Sequence, residues 1–175
     1  MLKNIFNVSI VMMSIFATDV FASNDECKTE VNVAGTIETT NVSQTIQVGT
    51  IRLILSDDKD KVVFDKKGGI IGRITSQSQD ETTGLPKSTL DHHIIFTDGS
   101  RIETNGDIAE LKWPPIAFDA NGEPCAFNVT ETVSDIWGTK TFKRASGTIT
   151  ATGTISFCEG ANGNRFILDG KVCLK

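Results

Sequence analysis

Residues 138–157 read GTKTFKRASGTITATGTISF. From Ala145 onward the stretch alternates without a slip. Ala145, Gly147, Ile149, Ala151, Gly153, Ile155 and Phe157 take one face, and Ser146, Thr148, Thr150, Thr152, Thr154 and Ser156 take the other. Successive side chains of a β-strand point to opposite faces, so this pattern predicts a long strand with an apolar inner side and hydroxyls toward water.

The same period recurs on both sides of that stretch. Residues 29–38 (TEVNVAGTIE) put Val31, Val33, Gly35 and Ile37 inward. Residues 44–55 (QTIQVGTIRLIL) begin with Ile46 and Val48 inward and continue with Ile51, Leu53 and Leu55. The one-residue slip at Gly49-Thr50 predicts a β-bulge. Residues 62–64 and 70–75 read as one interrupted strand or a small hairpin across Lys67-Gly68-Gly69, followed by a polar loop over 76–87.

Residues 88–97 resume the alternation with Leu90, His92, Ile94 and Phe96 on one face, and Asp98-Gly99 marks a turn. A three-residue loop with Gly99 left-handed sets Ile94 opposite Ile102 and His92 opposite Thr104, which keeps apolar with apolar. Residues 100–111 form the next strand. Residues 112–123 read as a loop, because Pro114-Pro115 does not fit a central strand and Asn121-Gly122 signals a turn. Residues 125–133 place Phe127, Val129, Glu131 and Val133 inward, and a loop around Trp137 leads on. After the turn at 160–164 (GANGN), Phe166, Leu168, Gly170 and Val172 face in. About eight strands with turn signals between them predict a sandwich or barrel. An even count that brings the first and last strands together closes an antiparallel barrel without edges.

Composition agrees with an all-β domain. There are 15 glycines, 4 prolines and no tyrosine. No helical period persists beyond about two turns. Lys and Arg number 17 against 22 Asp and Glu. No basic run exists, which argues against nucleic acid and anionic membrane surfaces as partners.

The N-terminus carries Lys3, a short apolar run over residues 8–17 and the small-residue site Val20-Phe21-Ala22. This is the pattern of a secretory signal peptide over residues 1–22, leaving residues 23–175 as one domain. The apolar run falls short of the roughly 20 residues that span a bilayer. A soluble chain, secreted or periplasmic and not inserted in a membrane, is expected. The four cysteines, Cys27, Cys125, Cys158 and Cys173, lie in the mature part. An even number in an exported chain implies two disulfides, and the absence of close-spaced pairs argues against zinc held by cysteine.

The residues Gly138-Thr139, Phe142, Ala145, Gly147 and Gly153 form the pattern GTxxFxxAxGxIxxxG, which resembles the C-terminal strands of the allene oxide cyclase and dirigent-like barrels. The resemblance is specific over about 20 residues, with looser similarity across 88–173. It implies an eight-stranded antiparallel barrel with a central cavity, in a group of isomerases and of non-catalytic proteins that steer a coupling reaction. No catalytic residue of the cyclase maps onto this chain. In such a barrel the start of the first strand lies beside the end of the last, so Cys27 is expected to pair with Cys173 and Cys125 with Cys158. Face parity opposes the second bridge, since Cys125 extrapolates inward and Cys158 outward.

Two inward polar side chains stand out, His92 and Glu131. A buried carboxylate is costly unless paired. The two could hold the polar end of an apolar ligand or act as acid and base. Alternatively Glu131 caps the barrel end or pairs with an arginine such as Arg73, and His92 is a hydrogen-bonded core histidine. His92 and His93 point to opposite faces and do not make a metal pair. The small inner residues Ala145, Gly147, Ala151 and Gly153 leave room for a ligand, or permit tight coiling, or face Phe127, Phe157 and Phe166, which fill the space across from them. Phe127 and Phe157, with His92 and Glu131, are the expected cavity lining.

No nucleophile triad, phosphate loop or metal motif is present, and no cofactor is expected. Three functions remain open: a non-enzymatic exported barrel that binds a small apolar molecule or a partner; an isomerase or coupling-directing protein; and a structural or interaction protein with a filled barrel. The sequence decides neither enzymatic activity nor oligomeric state.

Overall fold

The computed structural model describes residues 27–82, 84–161 and 163–175. The expected signal peptide lies outside the described residues. Nine strands follow one another: β1 (Thr29–Asn41), β2 (Ile46–Ser56), β3 (Val62–Gln79), β4 (Pro86–Phe96), β5 (Arg101–Phe118), β6 (Pro124–Val133), β7 (Ile136–Gly138), β8 (Ser146–Ser156) and β9 (Gly163–Leu174). A 3₁₀ turn (Lys140–Phe142) separates β7 from β8.

All pairings are antiparallel. The order β4-β3-β2-β1-β9-β8-β6-β5 closes through β4–β5 into an eight-stranded barrel. The short β7 pairs with Ile102–Thr104 of β5, below the point where β6 leaves it. First and last strands lie side by side, with Val31 opposite Val172 and Ile37 opposite Phe166. Alternate residues fill the interior: Val31 and Val33, Ile51, Leu53 and Leu55, Ile149 and Ala151, Phe166 and Leu168 are buried. The hairpin register of β4 and β5 is the expected one, with Ile94 opposite Ile102, His92 opposite Thr104 and Gly99 at φ 78°.

The two bridges Cys27–Cys173 and Cys125–Cys158 are formed, with Cα–Cα distances of 5.4 and 4.9 Å. They tie opposite ends of the barrel. The parity problem dissolves because β8 ends at Ser156. Cys158 lies beyond it, in an isolated bridge with Ala161.

Several local expectations are corrected. β2 runs in unbroken register with both neighbours at Gly49 and Thr50, so no bulge exists there. Gln47, not Ile46 or Val48, is the buried residue, and it accepts a hydrogen bond from the Thr39 hydroxyl at 3.3 Å. Polar pairing inside the barrel thus replaces the apolar contact that hydropathy suggested. Lys67-Gly68-Gly69 lies within a continuous β3, and the supposed loop over 76–87 shrinks to residues 80–85. β5 runs through Pro114-Pro115 to Phe118. Its ladder with β6 jumps from Lys112–Asn128 to Ala117–Ala126, so the prolines sit in a bulge that asks no hydrogen bond of them. The segment around Trp137 is the short strand β7, not a loop. Phe157 lies past the end of β8 and is 51% exposed, not inward.

The glycines of β8 serve coiling rather than space. A Cβ on Gly153 would lie 1.9 Å from the Arg165 carbonyl oxygen of β9, so the two backbones are pressed together there.

Candidate functional site

Three neighbouring strands bring polar side chains to the middle of the barrel: His92 from β4, Thr104 and Asp107 from β5, and Glu131 from β6. All four are buried. Strict alternation from Ile102 and Thr104 would turn Asp107 outward. A bulge reverses the phase: Leu90 pairs with Asp107 and His92 with Thr104, so Asp91 alone faces Asn105 and Gly106. Gly106 takes φ 69°, a conformation that L side chains rarely adopt, and its N–H donates to the Asp91 carboxylate at 3.0 Å. The isolated Asn-Gly within the β5 pattern is the sequence signal that reveals such a bulge. Without it Asp107 is invisible as an inner residue.

His92 Nδ1 lies 2.8 Å from Asp107 Oδ2 and 3.5 Å from Glu131 Oε1. The Thr104 hydroxyl donates to Asp107 Oδ2 and accepts the His92 backbone N–H at 3.1 Å. The ring finds room because residue 72 is glycine: a Cβ there would lie 3.0 Å from His92 Nε2. Asp107, 1% exposed, has its Oδ1 buried with no hydrogen-bond partner among the described residues. Among the described residues Glu131 forms one ion pair, with His92. Arg73 is exposed and does not reach it.

Burial alone would push the His92 pKa down, but the Glu131 and Asp107 carboxylates outweigh it and the pKa is raised. Burial pushes the Glu131 carboxyl up; His92 pulls it back in part and Asp107 adds to the rise. Both groups therefore hold their protons more tightly than in water.

The expected cavity lining divides between two spaces. His92 and Glu131 border a central cavity of about 40 Å³, closed in by aliphatic side chains such as Ile51, Ile94 and Leu168. It has room for little more than a water molecule. Phe127 and Phe157 border a second pocket of about 310 Å³ at the upper end, where β6 begins and β8 ends. Leu90, Ala109, Leu111, Val129 and Ile155 complete its apolar wall, with Gln47, Gln77 and Ser88 as polar points. The lower end is stopped by Phe64, Phe96 and Phe142, in edge-to-face and stacked contact.

No protein-family model matches the chain, and no curated protein matches it. The disulfides are of the kind that persist in oxidising compartments, and among the described residues no helix is long and apolar enough to cross a membrane.

Proposed function

We propose that this protein is an exported barrel that binds a small apolar molecule in its upper mouth. The observation that carries this reading is the pocket of about 310 Å³ with an apolar wall and a few polar points. Ligand sites have this character and start at about 300 Å³. Gln47, held by Thr39, and Ser88 would orient a polar end group.

Isomerase or coupling-directing activity, suggested by the resemblance to allene oxide cyclase and dirigent-like barrels, is the second reading. It draws on the His92–Glu131 pair, which has acid–base character. The 40 Å³ space beside that pair is too small for an organic substrate, so binding is preferred over turnover.

The test is titration of the oxidised mature protein with N-phenyl-1-naphthylamine, which fluoresces in apolar surroundings. Saturable uptake by the wild type is expected, with at least about tenfold weaker binding in Ala109→Phe, which fills the pocket, since a tenfold change needs only about 1.4 kcal/mol. Phe157→Glu at the exposed rim is expected to weaken uptake without unfolding the barrel. Absence of uptake, or uptake untouched by both substitutions, would refute the mouth as the site.

A further inference from the structure

The central cluster leaves one carboxylate oxygen, Asp107 Oδ1, buried without a partner among the described residues, and a second carboxylate, Glu131, whose only ion pair among them is with His92. Glu131, 7% exposed, borders the small cavity with His92 and Asp107 beside it, and both carboxylates look to the one imidazole. No lysine or arginine pairs with either among the described residues. Buried carboxylates are retained when something positive completes them.

We propose that His92, Asp107 and Glu131 bind one divalent transition-metal ion of the zinc type, with Thr104 orienting Asp107. Ligand atoms held at about 2.0–2.2 Å from one zinc ion lie roughly 3–3.5 Å from each other. His92 Nδ1 is 2.8 and 3.5 Å from the two carboxylate oxygens, and the three donor atoms all lie within 4.8 Å of one another, so an ion between them needs the hydrogen-bonded His92–Asp107 contact to open by a few tenths of an ångström. A doubly charged ion with two carboxylates and a neutral imidazole is a net-neutral group. Coordination through Nδ1 puts the ring proton on Nε2, the nitrogen that sits over Gly72. The 40 Å³ cavity beside Glu131 and His92 has room for a water as a further ligand. One imidazole and two carboxylates suit zinc, manganese or iron better than the all-oxygen shells of calcium and magnesium.

The site is enclosed, so the oxidised protein is stripped with EDTA and then both incubated with zinc chloride and refolded in it. Metal content is counted after desalting. The expected result is one zinc per chain and a raised melting temperature, with no shift from magnesium or calcium chloride. Cobalt(II) in place of zinc is expected to give the visible absorption bands of a nitrogen–oxygen site. Glu131→Gln and Asp107→Asn are expected to abolish uptake. Thr104→Val should weaken it roughly 10- to 100-fold, as loss of a group supporting a ligand does. His93→Ala, which alters the exposed His93–Glu103 pair, should leave it unchanged. Wild-type protein refolded in zinc that retains none would overturn the proposal, whatever the variants do. Zinc retained undiminished in both ligand variants, or lost in His93→Ala, would do the same.

Discussion

At its lower end the barrel is stopped by Phe64, Phe96 and Phe142, whose ring centroids lie 5.1 to 5.6 Å apart. At its upper end the same strands part around a pocket of about 310 Å³. The lower stopper draws on β3, β4 and the 3₁₀ turn, which buries Phe142 beneath the barrel. The upper aromatics do not meet in this way: Phe127 lies in the wall and Phe157 on the rim. One end holds the fold shut, and the other leaves a concave apolar surface open.

The largest losses are expected on removing the two disulfides. Cys27–Cys173 closes 146 residues at the lower end and Cys125–Cys158 closes 33 at the upper end. Chain entropy assigns about 5 kcal/mol to the first and about 4 kcal/mol to the second. Denaturant unfolding of the two double-serine variants checks this, and a greater loss at the upper bridge would contradict it. Next, Phe142→Ala is expected to cost about 3–5 kcal/mol, because it opens a cavity in a packed aromatic cluster. Phe157→Ala should stay within about 1 kcal/mol, as a half-exposed rim residue does. Equal costs in thermal melts would erase the distinction between stopper and mouth.

Between the two ends, Gly106→Ala is expected to cost about 1–2 kcal/mol, since alanine at φ 69° is strained. It should also disturb the placement of Asp107, visible as reduced zinc uptake. The smallest effect is a pH slope in the metal-free barrel. Both His92 and Glu131 have raised pKa values when folded. Each therefore stabilises fully below its ordinary value, 6.5 for His92 and 4.5 for Glu131, and this contribution fades as pH rises through the raised folded value. The contribution of this pair should fall from acid toward alkaline pH, against the opposite acid-range slope from Asp65, Asp98 and Asp119, and is read as the difference between wild type and Glu131→Gln. A difference of opposite sign would contradict the raised Glu131 value.

The sequence made the frame legible because alternation is a local signal. β1, β4, β6, β8 and β9 show their inner faces residue by residue, and the turn at Gly99 fixes the register of His92 against Thr104. What failed was where tertiary pairing overrides hydropathy. Gln47 points inward because Thr39 meets it there, and no local pattern reports a partner on another strand. The prolines of β5 stay in a strand because a bulge exempts them from the ladder. His92 and Glu131 stood out as polar residues among apolar ones. Asp107 did not, because its direction is set by one left-handed glycine. The division of the lining into a central cavity and a mouth pocket was beyond reach for a similar reason. Parity gives the face of a strand but not the height at which bulky side chains close the interior.

The most direct measurement is native mass spectrometry of the oxidised protein purified from its own source, alongside the Ala109→Phe variant. Binding in the upper mouth predicts a small apolar adduct on the wild type that the filled-pocket variant lacks. A bare mass for both, together with no uptake of the fluorescent probe, would contradict it and leave a filled barrel that acts through its outer surface.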